Sequence, residues 1–216
     1  MIKMNFLIAI IAMITFIAGC NGKSTSPEEQ DSQSSTADAN HQQSSDAGTG
    51  VLSNEAQQAK TFNTDRVMEA ALKGKMAYIS SALDNGYTVS STDADNHTAL
   101  MMAAYNGHSQ IVELLLSKGA NPNARDNMSR TALMYASTGP FNESVKLLLE
   151  SGAEVNLVDS EEHFTALMFA AAEGQKEVVS TLLDHGADNS MVDVDGESAY
   201  DFALANGHAE VAAILK

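Results

Sequence analysis

The chain contains no tryptophan, three prolines and a single cysteine, Cys20, in 216 residues. A lone cysteine excludes an internal disulfide framework and a cysteine-rich zinc site. Positive charge is also scarce: 12 Lys and Arg stand against 28 Asp and Glu, a formal net charge of −16. Nucleic acid is therefore excluded as a ligand class, because phosphate binding needs clustered cations. A long apolar run is missing too. Met4 to Ile17 is uncharged, but it is too short to span a membrane comfortably.

That run does carry meaning at its position. With Lys3 before it, it reads as the n-region and h-region of a secretory signal, and it leads into Ile17-Ala18-Gly19-Cys20. This stretch resembles the lipobox of bacterial lipoproteins, which implies cleavage before Cys20 and lipidation of that cysteine. At about 0.8 kcal/mol per buried methylene, several acyl chains hold a protein on a bilayer essentially permanently. Asn21 follows the cysteine rather than an acidic residue, and the resemblance then favours the outer membrane, with the mature chain facing the periplasm. The expected boundaries are a signal peptide over 1–19, a lipidated and disordered tether over 20–63, and a folded domain over 64–216. The tether is rich in Ser, Gln, Asp and Thr and poor in large apolar residues, so it cannot bury enough surface to offset its ordering entropy. About 40 such residues reach on the order of 35 Å.

Beyond the tether the chain repeats itself. Thr98-Ala-Leu-Met-Met-Ala-Ala returns as Thr131-Ala-Leu-Met-Tyr-Ala, as Thr165-Ala-Leu-Met-Phe-Ala-Ala and, faded, as Ser198-Ala-Tyr-Asp-Phe-Ala. A period of 33 to 34 residues means units that cover one another's apolar faces. Within each unit a small-residue pair, such as Ala103-Ala104 or Ala170-Ala171, predicts close helix approach, and a Gly nine positions after the Thr (Gly107, Gly174, Gly207) predicts a left-handed reversal. A second helix follows with apolar residues at helical spacing, Ile111, Val112, Leu115 and Leu116 in one unit, and closes on Gly119-Ala120.

Helix, turn, helix, Gly-Ala and then a hairpin-like finger resemble the ankyrin repeat, matched within one unit at Leu100, Ala103, Ala104, Gly107, His108, Val112, Leu115, Leu116, Gly119, Ala120 and Asn123. The resemblance implies an all-α solenoid of about five stacked helix-turn-helix units with short fingers, near 64–96, 97–129, 130–163, 164–196 and 197–216, preceded by the disordered tether. Two departures carry expectations. Met101, Met134 and Met168 stand where the family has a hydrogen-bonding His, so packing must replace that bond. In the third unit Pro140 replaces the turn Gly; Gly139 is expected to take over the turn, leaving Phe141 at the surface.

Catalytic constellations are not evident. His108 and His208 sit at the family's Gly-His position and are expected to be structural, and His185 precedes a helix-ending Gly. His97 and His163 have carboxylate neighbours, Asp95 and Glu162, but no i, i+4 ligand pair and no Cys partner. No Gly-x-Ser-x-Gly elbow and no phosphate-cradling loop occurs. The expectation is a monomer that is not an enzyme and has no metal and no cofactor. By resemblance, finger tips and first helices line a concave groove for a protein partner, with a basic partner favoured by charge. The candidate contact residues are Asp95, His97, Tyr105, Met128, Arg130, Phe141, Glu161, Glu162, Phe164 and Glu173. Tyr105, Met128, Phe141 and Phe164 are the expected anchors. Three readings stay open: a tethered scaffold, an immunity protein against a periplasm-acting toxin, and a hydrolase using His97, Glu162 and His163.

Overall fold

The computed structural model describes residues 62–216; the expected signal peptide, Cys20 and almost all of the expected tether lie outside them. Five helix pairs follow one another: α1 (Thr64–Leu72) with α2 (Met76–Asp84), α3 (Ala99–Tyr105) with α4 (Ser109–Ser117), α5 (Ala132–Ser137) with α6 (Asn142–Glu150), α7 (Ala166–Ala172) with α8 (Lys176–Asp184), and α9 (Ala199–Ala205) with α10 (Ala209–Leu215). First helices pack on first helices and second helices on second helices, giving two layers in unit order.

The first helices are built for proximity. The small-residue stripe Ala103, Ala104, Ala136, Ser137, Ala170, Ala171 and Ala203 has no solvent exposure, so backbones approach closely along it. Each of the last four starts on an N-cap hydroxyl, Thr98, Thr131, Thr165 or Ser198, that accepts from the backbone N–H three residues on. The methionine stripe is core, as expected: Met101, Met134 and Met168 are at most 2% exposed. Two thioethers also finish the cap, since Met101 Sδ accepts from the Thr98 N–H at 3.4 Å and Met168 Sδ from the Thr165 N–H at 3.5 Å. The polarizable sulfur thus does locally what an acidic or amide side chain does in a capping box.

Units are fastened by two recurring clasps. Asn123 donates to the Gly152 carbonyl and accepts from the Glu154 N–H, and Asn156 repeats both bonds with Gly186 and Asp188. At the helix-to-helix turn, His108 and Asn106 reach back to the Leu72 carbonyl, as His208 and Asn206 do to the Ala172 carbonyl. Both histidines therefore close orphan helix carbonyls of the preceding unit, in agreement with their expected structural role.

The third unit departs from expectation. Gly139 does not adopt a positive φ, whereas Gly107 (φ 66), Gly174 (φ 70) and Gly207 (φ 82) do. Nor is Phe141 left at the surface. It is half-buried, with its ring laid against Gly107 of the preceding unit and against buried Gly139. Phe141 occupies the place of His108 and His208 and covers the earlier turn by packing instead of by a hydrogen bond.

Candidate protein-binding face

Between helix pairs the chain projects four fingers. Each is closed by an Asp whose Oδ1 accepts two backbone N–H groups: Asp93 from Asp95 and His97, Asp126 from Met128 and Arg130, Asp159 from Glu162 and Phe164, Asp193 from Asp195 and Glu197. These carboxylates replace backbone partners the reversed chain cannot supply. One residue per finger turns left-handed: Asn96 (φ 62), Ser129 (φ 60), His163 (φ 61) and Gly196 (φ 83). The finger between the third and fourth units is enlarged by one residue, with four steps from Asp159 to the left-handed His163 against three from Asp93 to Asn96, and His163 carries the conformational strain there.

Neighbouring fingers bond edge to edge. The Asn127 N–H donates to Asp95 O at 3.0 Å, Ser160 N–H to Met128 O at 2.9 Å, and Val194 N–H to Glu162 O at 3.1 Å. Asp95, Met128, Glu162 and Asp195, the residues just before the left-handed turns, therefore stand in one row.

Behind the row runs an aromatic line. His97 meets Tyr135 edge-on at 6.1 Å between ring centres, and Tyr135 meets Tyr105 at 6.0 Å. Tyr135 is buried and donates to Asp126 Oδ2 at 2.6 Å; burial, then this bond to a carboxylate, pushes its phenol far above the ordinary tyrosine value. His97 is held between carboxylates, Nδ1 2.9 Å from Asp93 and Nε2 3.7 Å from Asp126. The ligating atoms of Asp93, Asp95 and His97 lie within 4.8 Å of one another, but Asp93 already uses both carboxylate oxygens on the finger itself.

Arg130 and Phe164, expected as contact residues, are instead buried. Arg130 is 7% exposed, with Nε 3.3 Å from Asp159, an amine 3.6 Å from Glu161 and its guanidinium 5.7 Å above the Phe169 ring. It is a buried strut for the enlarged finger, because a charge at that depth must be paired. Phe164 is 6% exposed and meets Phe169 and Phe202 edge-on at 5.4 and 4.9 Å. Expected as an exposed anchor, it fills the junction of the fourth and fifth units instead.

What the solvent does reach is Met128 at 40% exposure, the exposed carboxylates Glu161 and Glu162, and the half-buried Asp95, His97, Tyr105 and Glu173. Burial raises the Glu173 carboxyl above the usual carboxylate range, opposed by His208. Burial also raises the Tyr105 phenol, and the Glu173 charge adds to it, which places these two side chains within electrostatic reach across the third unit. Tyr135 is the residue sequence reasoning missed; its signal was a phenol in an otherwise apolar position, which needs a partner when buried.

None of the curated proteins compared with the chain matches it. The family model described as ankyrin repeats (3 copies) matches residues 67–159 and 141–216, well over half of the chain. With five helix pairs among its described residues, Gly-His turn clasps and laddered fingers, the chain belongs to the ankyrin repeat family, whose arrays are typically non-enzymatic protein–protein interaction modules.

Proposed function

We propose that this protein is a non-enzymatic binding module, lipid-anchored through Cys20 at the bacterial envelope, that holds a basic protein partner on the face formed by its fingers and first helices. The observation that carries the reading is that face itself: exposed Met128 stands in the finger row with Asp95, Glu162 and Asp195, and half-buried Tyr105 feels the Glu173 charge. Aromatic and thioether side chains supply contact area at low entropic cost. The carboxylates steer a cationic partner and reject acidic ones.

A narrower form is an immunity protein that blocks a basic antibacterial toxin arriving in the periplasm; the net charge of −16 favours it. Pull-down from solubilised envelopes with Tyr105→Ala and Met128→Ser as comparisons tests the face. Both substitutions should release the partner, and retention by both sinks the reading. Cys20→Ala should move the chain from the membrane fraction to the soluble periplasm; continued attachment rules out the lipid anchor.

A further inference from the structure

The finger tips form a ruler. Neighbouring fingers are joined by single backbone bonds from Asn127, Ser160 and Val194 to the carbonyls of Asp95, Met128 and Glu162, and the first helices that carry them pack directly on one another. Packed helix axes lie about 8–10 Å apart, so equivalent tip residues repeat at roughly that distance from unit to unit. The left-handed residues Asn96, Ser129, His163 and Gly196 fix which residues are equivalent. The row therefore reads Asp95, Met128, Glu162, Asp195: carboxylate, thioether, carboxylate, carboxylate.

Among the described residues, no ion pair engages Asp95, Glu162 or Asp195, and the nearby Arg130 is committed to Asp159 and Glu161. Among the described residues no finger Lys or Arg pairs with the row. Met128 is one of four large apolar side chains left exposed among the described residues, and it interrupts the acids at one step only.

An occupant that matches this row must present one side chain toward it about every 10 Å. A β-strand fails, because residues i and i+3 point to opposite faces. A polyproline II helix succeeds: three residues per turn at about 3.1 Å each bring every third side chain to the same face after roughly 9 Å. Resting on the reading that this face binds protein, we infer that the finger-tip row takes a basic peptide segment in polyproline II conformation, with Lys or Arg opposite Asp95, Glu162 and Asp195 and an apolar side chain opposite Met128.

The test uses labelled synthetic peptides and fluorescence anisotropy with the full chain. The in-phase peptide is Lys-Pro-Ala-Leu-Pro-Ala-Lys-Pro-Ala-Lys, made also in the reversed order. An out-of-phase peptide has the same composition with its lysines on every second position. The in-phase sequence, in one direction, should bind at least tenfold tighter, and the advantage should shrink as salt rises. Asp95→Asn, Glu162→Gln and Asp195→Asn together should abolish that difference, while Glu143→Gln with Glu177→Gln, on the second helices, should preserve it. Equal affinity for both spacings, no binding of either, or indifference to the triple substitution overturns the inference. If it falls while Tyr105→Ala and Met128→Ser still release the envelope partner, the binding face stands without the ruler. If those two also leave the partner bound, both readings fail together.

Discussion

Burial gives single residues roles that their chemistry alone leaves open. Arg130 looks like a surface cation in the chain, yet it is nearly sealed against Asp159, itself 1% exposed. Arg130→Ala should cost about 3 kcal/mol in urea denaturation, because it strands a buried carboxylate, and Arg130→Lys should recover only part of it. A loss below about 1 kcal/mol would mean that Asp159 is satisfied by its backbone donors alone. Ser144 presents the opposite case: its hydroxyl is buried with no hydrogen-bond partner. Ser144→Ala should be neutral or stabilising by up to about 1 kcal/mol. Glu173 is held above its ordinary range chiefly by burial. Stability associated with its protonated form is fully present in acid and is lost as pH rises through the raised value. Glu173→Gln should therefore melt higher than the parent at pH 7, with the gain vanishing below about pH 4; a constant gain at all pH values would contradict this.

At the scale of elements, the helices were legible because apolar spacing, N-cap hydroxyls and small-residue pairs recur at fixed addresses. The third-unit turn was not. Pro140 removes a glycine and the adjacent Gly139 does not replace it, because the bulk of Phe141 decides the local path by filling the space over Gly107. A Cβ at Gly107 collides with that ring, whereas at Gly119, also left-handed at φ 87, it meets nothing within 4 Å. Gly107→Ala should thus destabilise by at least about 1 kcal/mol more than Gly119→Ala, and Phe141→Ala should reduce the difference in a double-mutant cycle. The enlarged finger makes its own prediction. His163 holds φ 61 where the last finger has Gly196, and releasing that strain with His163→Gly should raise stability by about 0.5–1 kcal/mol.

The whole repeat region carries 22 acidic and 9 basic side chains over residues 64–216. Such an excess repels itself in the compact state and is relieved by screening. The melting temperature should rise between 20 mM and 500 mM NaCl, values chosen to take the Debye length from about 20 Å to about 4 Å; a fall would show that surface pairs such as Lys176–Glu210 at 2.8 Å outweigh the repulsion.

The sequence by itself determined the stack: a period of 33 to 34 residues fixes which side chains recur between units, and recurrence is enough to assign helices, caps, the methionine core and the Gly-His clasps. It also determined the acidity of the candidate face, since charge is a property of composition. Only the tertiary structure decided what that face presents. Phe164 and Arg130 share their addresses with side chains expected to meet solvent, but one fills space beside Phe169 and Phe202 and the other answers a buried Asp159. Exposure depends on the bulk and charge of neighbours in adjacent units, and no single period encodes those. The alignment of Asp95, Met128, Glu162 and Asp195 is likewise tertiary, because the inserted residue breaks the count along the chain and the backbone ladder restores it in space.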